Sequence, residues 1–292
     1  MVILFAAGLL AVALAVSYSV WRARWGRPPG GLPAVLTFHK VTSFEFGGTW
    51  LTPAGFQRIL DSLQSSGHRF ISEDEFLSAL AGERIPSEKE ILLTFDDGYE
   101  ELMKSAVPAL RERGIPALIF LVTAYAGRPN SWELPLPGRK SVHLGWDQVQ
   151  ELADDPLFDF GSHSRSHRDL TALAEQEVRA ELELSREVIG HYTGREARTF
   201  SYPFGRVNDL VAGAARDSGY EAAFTLYPAG KAGNVDPMRL RREGVWIIDT
   251  PSTVRTKVSR GRTFWFEDLK GRAINGVAAL TPFFKRKSPL DQ

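Results

Sequence analysis

The chain has 292 residues, a length typical of one large α/β domain with extensions at its ends. Acidic and basic residues are equal in number, and a formal net charge of zero argues against a nucleic-acid binder that neutralises phosphates. The absence of cysteine excludes disulfides, thiolate metal sites and cysteine nucleophiles, and it leaves an oxidising compartment permitted.

The N-terminal segment is apolar and uncharged. Val2–Val20 is close to the roughly 20 apolar residues that a membrane-spanning helix needs. A cleaved signal peptide is the alternative, but no basic residues precede the apolar stretch. We therefore predict a transmembrane anchor over residues 1–22, followed by a Pro/Gly linker at residues 23–33.

Residues 34–250 alternate between strand-like and helix-like patterns. Ala34–Phe38 is a short apolar stretch typical of a buried strand, whereas Thr52–Ser66 has the capping residues and apolar spacing of a helix. The alternation predicts one domain of α/β class, with a parallel sheet or barrel and helices outside it. The same patterns predict a single helix at residues 100–113 and a last strand at Val245–Ile248.

Two adjacent carboxylates end one of the predicted buried strands. Ile91–Phe95 is followed directly by Asp96, Asp97 and Gly98. The C-terminal ends of parallel strands are where α/β proteins place their chemistry. Consecutive strand residues point to opposite sides, so the two aspartates can take different roles. An ordinary strand followed by an Asp-Gly turn is the alternative.

Two histidines four residues apart follow another predicted strand, Phe158–Phe160. Side chains at positions i and i+4 of a helical turn lie on one face, so His163 and His167 can hold one metal ion. With one carboxylate of the aspartate pair they form a set that leaves a position open for water. Such a set favours zinc and also accepts cobalt, nickel or iron. Surface histidines without a metal are the alternative.

Three motifs together resemble those of the polysaccharide deacetylase family, the NodB-homology carbohydrate esterases. Thr94–Gly98 reads TFDDG, His163–His167 has the form H-[ST]-x-x-H, and Phe200–Gly205 ends in Pro-Phe-Gly. The resemblance extends over residues 32–250. It implies a distorted (β/α) barrel that removes acetyl groups from N-acetylated sugars with the help of a divalent metal ion.

The resemblance also implies a role for each motif residue. The metal ligands would be one aspartate and the two histidines: Asp97, His163 and His167. Asp96 would be the general base that deprotonates the attacking water. The turn formed by Pro203, Phe204 and Gly205 would contact the substrate, and the backbone N–H of Phe204 would stabilise the oxyanion.

Two features depart from the family pattern. The arginine that orients the base in many members is replaced by Ser201, and the nearby Arg198 is not at the matching position. The late Leu-x-x-His motif is missing, but Leu36–His39 has this form near the N-terminal end. This layout resembles the poly-N-acetylglucosamine deacetylases, in which circular permutation moves that motif to the front. The resemblance makes His39 the general acid, and a buried histidine at a strand end is the alternative.

The remaining histidines, His68, His143 and His191, match no motif and are interpreted as surface or structural residues. Trp132 and Trp146 are suited to stack on a sugar ring, but we expect packing for both. Residues 251–292 form a basic and aromatic tail, which either lies on a bilayer surface or packs on the domain as a helix with a solvated basic face.

The implied partners are an N-acetylated glycan and a membrane, with no nucleic acid. A glycan substrate favours an extracytoplasmic domain, whereas Arg22, Arg24 and Arg27 after the predicted anchor favour the reverse. Two other functions are compatible with the motifs: a metal-dependent hydrolase of another substrate, such as an O-acetyl esterase, and a membrane-tethered carbohydrate-binding module without turnover. A serine esterase is disfavoured because the chain has no G-x-S-x-G elbow.

Overall fold

The computed structural model describes residues 31–45, 48–132, 141–226, 235–261 and 263–278. The predicted anchor, most of the linker and the last fourteen residues of the tail lie outside these ranges. Within them, no helix has both the length and the apolar character that crossing a membrane requires.

The core of the domain is a closed barrel of parallel strands. The ten strands within the described residues are β1 Ala34–Phe38, β2 Lys40–Val41, β3 Trp50–Leu51, β4 Arg69–Ile71, β5 Glu90–Phe95, β6 Ala117–Leu121, β7 Phe158–Ser162, β8 Thr199–Ser201, β9 Ala222–Leu226 and β10 Leu240–Gly244. The main sheet runs β1-β10-β9-β8-β7-β6-β5-β4, and pairing of β1 with β5 closes a ring from which β4 is excluded. β4 pairs only with the first half of β5, while β2 and β3 form a separate small sheet.

Helices connect the strands, and four of the helices in the described residues begin after a residue whose side chain caps the helix: Thr52, Ser72, Asn208 and Thr250. The bounds of the helices are Pro53–Ser65, Glu73–Leu80, Glu101–Lys104, Ala106–Arg113, Trp146–Ala153, Glu175–Thr193, Asp209–Asp217, Pro251–Ser259 and Phe264–Ala278. Thr52 caps the first of them, which buries Phe56, Ile59, Leu60 and Leu63 in the core, as the sequence pattern predicts.

The helix predicted at residues 100–113 is interrupted. It consists of two helices that meet at Ser105, whose backbone is not helical (φ −126°, ψ −60°). Pro108 lies in the first turn of the second helix, has no backbone N–H and clashes with the carbonyl four residues earlier. A continuous helix through Lys104 is therefore excluded, and the prediction of one helix was wrong.

The last strand was also predicted at the wrong place. The strand is β10, Leu240–Gly244, and Val245–Ile248 follows it without forming a strand. The β10 sequence carries Arg241, Arg242 and Glu243, which do not form the apolar pattern of a buried strand. Ion pairs inside the protein make the burial of this polar strand possible.

The closure of the barrel places the first strand of the chain beside β5. Phe38 is the register partner of Phe95, and the N–H of Asp96 donates to the carbonyl of Phe38 at 2.9 Å. His39 and Asp96 therefore leave the same edge of the barrel side by side. β1 also pairs with β10. A circular permutation can move a strand from the end of the chain to its front only if the strand keeps the same neighbours. The pairing of β1 with both β5 and β10 meets this requirement.

We expect the barrel to be tightly packed directly beneath the edge from which His39 and Asp96 leave. A Cβ on Gly161 in β7 would lie 2.5 Å from a ring carbon of Phe120 and 2.6 Å from Oγ1 of Thr199. Gly161→Ala should therefore lower the free energy of unfolding by about 1–3 kcal/mol in urea denaturation. The control, Gly213→Ala, places its methyl group in open space on a helix, and it should be neutral or stabilising by up to about 1 kcal/mol. Equal stabilities of the two variants would contradict this packing.

Candidate metal centre and active site

Asp97, His163 and His167 converge at the C-terminal edge of the barrel, and all three are buried. The Nε2 atoms of His163 and His167 lie 3.6 Å and 3.5 Å from Oδ1 of Asp97. Ligands at the usual bond lengths around a tetrahedral zinc ion are about 3.4 Å apart. The structure thus brings the three residues predicted as ligands to a spacing that fits a metal ion.

The two histidines are joined by a loop and not by the helical turn that the sequence spacing suggested. Ser164 and His167 have positive φ angles of 67° and 56°, which a right-handed helix does not allow. The hydroxyl of Ser164 accepts a hydrogen bond from the N–H of His167 at 2.9 Å. Glu181 accepts from both the N–H and the hydroxyl of Ser166 at 2.8 and 2.5 Å. These contacts hold the loop in its unusual conformation.

Left-handed backbone is concentrated at this edge of the barrel. Five non-glycine residues in the described ranges have positive φ, and four of them belong to the site: Asp97, Ser164, His167 and Phe204. Each such residue costs on the order of 1–3 kcal/mol and persists only where surrounding contacts hold it. The strain therefore marks the residues whose direction the fold controls most closely.

Hydrogen bonds to the backbone orient two members of the group. The Nδ1–H of His163 donates to the carbonyl of Ser201 at 2.7 Å, which leaves the Nε2 lone pair facing Asp97. Burial lowers the pKa of His163, so its imidazole is neutral, as a ligand must be. His143 donates from Nδ1 to the carbonyl of Asp97 at 2.7 Å. The sequence interpretation of His143 as a surface or structural residue missed this contact with the site.

The third member, His167, is packed between aromatic rings. Trp132 stacks on its imidazole with a centroid distance of 4.2 Å and an interplanar angle of 15°. The ring of Phe204 meets the same imidazole edge-on at 4.7 Å. Trp132 therefore packs inside the protein, as the sequence analysis expected, and the side chain on which it packs is the candidate metal ligand His167. Trp146 instead stacks on Tyr192, at 4.2 Å.

Asp96 is held by an arginine that the sequence analysis did not identify. Arg242 of β10 donates from its two terminal nitrogens to the two carboxylate oxygens of Asp96, each at 2.7 Å. The same guanidinium donates to the hydroxyl of Ser201 at 2.7 Å and is almost completely buried. Ser201 occupies the family's arginine position, so here the guanidinium comes from another strand and Ser201 helps to hold it. Arg198 pairs instead with Asp74 and Glu221.

This pairing sets the charge of Asp96. Burial alone would raise its pKa, but the positive charge of Arg242 and the hydrogen bonds that Arg242 donates lower it, and the pKa of Asp96 lies well below its usual value. Asp96 is therefore ionised at neutral pH, as a general base must be. Both of its oxygens are engaged by Arg242, and Asp97 is the carboxylate of the candidate metal group.

His39 lies beside Asp96 at the end of β1. Burial lowers the pKa of His39 to about 4, although the carboxylate of Asp96 raises it. Its imidazole is therefore neutral in the free protein at neutral pH and must gain a proton before it can act as an acid. Its Nδ1 has no hydrogen-bond partner within the described part of the chain. The ring of Trp246 lies 6.5 Å away.

Residues 83–223 match the family model for polysaccharide deacetylases. The matched stretch, 141 of the 292 residues, is a polysaccharide deacetylase domain. Among its relatives, the poly-beta-1,6-N-acetyl-D-glucosamine N-deacetylase of Staphylococcus epidermidis is 27% identical over 241 residues, which cover 79% of this chain and 78% of that protein. YxkH of Bacillus subtilis, also described as a polysaccharide deacetylase, is 28% identical over 68% of this chain and 66% of its own length. The predictions of the family and of an enzyme are confirmed.

Solved structures of other deacetylases share the fold. PplD from Streptococcus pyogenes has a TM-score of 0.67 at 21% identity and covers 77% of this polysaccharide deacetylase and 97% of its own chain. IcaB from Ammonifex degensii has a TM-score of 0.64 at 25% identity, with coverages of 77% and 96%. The predicted distorted (β/α) barrel is confirmed.

We expect Arg242→Met to change both the rate and its pH dependence. Without the guanidinium, burial dominates and raises the pKa of Asp96, so the base is protonated over more of the pH range. Acetate release near neutral pH should fall by about 10²-fold or more. The loss should shrink as the pH rises and Asp96 ionises. Steady-state rates between pH 6 and 9 measure both effects.

The matched control is Arg241→Met, on the same strand. Arg241 pairs instead with Glu243 and Asp268. The Arg241→Met variant should have a lower free energy of unfolding than the wild type, but the pH dependence of its acetate release should be unchanged. A pH profile of Arg242→Met that coincides with that of the wild type would show that Arg242 does not set the ionisation of Asp96.

His143→Ala should weaken metal binding. Loss of the Nδ1–H donor frees the carbonyl of Asp97, and removal of such supporting hydrogen bonds typically weakens metal affinity about 10–100-fold. His143→Asn keeps a donor close to the same position and should recover part of the affinity. His191→Ala, on an exposed helical position, is the control. Zinc competition with a chromogenic chelator measures all three variants, and an unchanged affinity in His143→Ala would exclude the positioning role.

Proposed function

We propose that this polysaccharide deacetylase hydrolyses N-acetyl groups of a polysaccharide or oligosaccharide of N-acetylated sugars, with a divalent metal ion, preferably zinc. The observation that carries the proposal is the buried group of Asp97, His163 and His167 beside an ionised Asp96 at one edge of the barrel. The names of relatives that act on poly-beta-1,6-N-acetyl-D-glucosamine support N-acetylglucosamine as the sugar.

Each residue at the edge has a defined task in this proposal. Asp97, His163 and His167 would hold a divalent ion, which would polarise the acetyl carbonyl and lower the pKa of a bound water. Asp96, fixed by Arg242, accepts a proton from the water that attacks the carbonyl carbon. The N–H of Phe204, with Pro203 and Gly205 shaping its turn, donates to the oxygen that becomes negative. The neutral imidazole of His39 takes up the proton that Asp96 has accepted and donates it to the nitrogen as the C–N bond breaks, which releases acetate and an amine.

The contact between Arg242 and Asp96 supports an enzyme over a carbohydrate-binding module without turnover. The family's missing arginine at Ser201 was the reason to consider a carbohydrate-binding module without activity. The bidentate contact of Arg242 with Asp96 provides an equivalent guanidinium. A module that only binds sugar has no need for a buried, ionised base beside a metal site.

We further propose that residues 1–22 anchor the protein in a membrane and that the catalytic domain is extracytoplasmic. The apolar sequence of this segment and the class of substrate support this location. A C-terminal fusion to a reporter that is active only outside the cytoplasm should give signal. Signal from a cytoplasm-specific reporter alone would contradict it.

The proposal is tested by acetate release from N-acetylglucosamine oligomers, with bound metal measured in the same samples. Asp96→Asn should retain the metal and lose about 10²-fold or more of the rate, because it lacks a base but keeps all three ligands. Asp97→Asn should lose both the metal and the rate. Acetylated xylan is the comparison substrate: release from this ester alone would make the protein an O-acetyl esterase and refute amide hydrolysis.

A further inference from the structure

The last described helix, Phe264–Ala278, packs on the domain through charged residues. Glu267 and Asp268 are each 6% exposed. Asp268 accepts hydrogen bonds from Arg241 of β10 at 2.5 Å and from Arg272 at 2.8 Å. Glu267 pairs with Lys270 at 2.5 Å. The acidic side chains of this helix are therefore turned inward and neutralised by cations.

The opposite side of the helix is apolar and open to solvent. Trp265, Phe266 and Leu269, which we call the outer face, are 51%, 55% and 59% exposed. At about 3.6 residues per turn, the three side chains fall within an arc of about 100°. A surface helix of a soluble protein has the reverse arrangement, with apolar residues inward. A cluster of exposed apolar side chains of this kind marks an interaction surface.

The helix that carries the outer face is tied, through Lys270, to the turn that follows β10. Nζ of Lys270 lies 2.7 Å from Oδ1 of Asp249, which also pairs with the buried Lys257 at 2.6 Å. Asp249 belongs to the turn after β10 that carries Trp246, the neighbour of His39. Ile248 of the same turn is 60% exposed.

We propose that the outer face lies on the surface of an anionic lipid bilayer, with its three apolar side chains at the boundary between headgroups and acyl chains. Trp, Phe and Leu are typical of the apolar face of helices that bind there. The burial of Glu267 and Asp268 removes the acidic charge that would oppose anionic headgroups. The sequence after the helix repeats the combination, with Phe283 and Phe284 followed by three basic residues, Lys285, Arg286 and Lys287.

This charge pattern fits a lipid surface better than a second copy of the chain, whose net charge is zero. The inference concerns only the surface that this helix contacts, and it does not rest on the proposed catalytic chemistry. Its consequence is that the turn carrying Asp249 and Trp246, to which the helix is tied, is held close to the membrane surface.

The experiment uses the full chain, which has no cysteine of its own, with one cysteine introduced as Leu269→Cys. The cysteine is labelled with an environment-sensitive fluorophore, and the protein is reconstituted in vesicles of phosphatidylcholine and phosphatidylglycerol. Two controls place the probe at other exposed apolar positions, Ile85→Cys and Leu184→Cys, which are 97% and 43% exposed. Trp265→Cys gives the same readout if the first variant does not fold.

Lipids brominated on their acyl chains should quench the probe at residue 269 at least about twofold, and aqueous iodide should quench it less than it quenches the controls. Free access of iodide to residue 269 in vesicles would overturn the proposal, because the outer face would then be in water. Protection from iodide without quenching by brominated lipid would also overturn it, because the face would then be covered by protein. Acetate release is not measured, so the outcome is independent of the proposed activity.

Discussion

The buried contact between Arg242 and Asp96 is the interaction on which the rest of the site depends. Two adjacent carboxylates in a buried site repel each other, and normally one of them takes up a proton. The guanidinium compensates one negative charge through two parallel hydrogen bonds, and a metal ion at Asp97 would compensate the other. Hydrogen bonds to the remaining donors of a buried ion pair reduce the cost of burying it, and only Nε of Arg242 lacks a partner within the described residues. The hydroxyl of Ser201 accepts one of them, and the rings of Phe120 and Phe224 lie 5.4 and 5.8 Å from the guanidinium.

Barrel closure brings these groups together from distant parts of the chain. β5 supplies both aspartates, β1 places His39 beside them, and β10 places Arg242 beneath them. Because β1 lies between β5 and β10, the strand that carries the candidate acid can stand at either end of the chain without changing its neighbours. The loops after β6 and β7 then complete the site, with His143 holding the backbone of Asp97 and Trp132 covering His167.

The residues that the sequence identified are those whose roles follow from local patterns. The apolar strand before Asp96 and the short spacing of His163 and His167 are visible in any window of ten residues. Arg242 is not, because its strand is polar and its partner lies 146 positions away. The serine in the family's arginine position was the only indication that a guanidinium had to come from elsewhere. His143 acts through a backbone carbonyl, and such a contact leaves no periodic pattern in the sequence.

The central claim is that the adjacent aspartates have separate roles. Asp97 is a metal ligand, and Asp96 is a base that Arg242 keeps ionised and away from the metal. The most direct test is anomalous X-ray scattering from crystals of the protein grown with zinc. The account predicts a zinc peak bonded to Asp97 and to Nε2 of His163 and His167, with Asp96 still paired to Arg242. A zinc ion bound by both aspartates, or no zinc at this edge of the barrel, would contradict it.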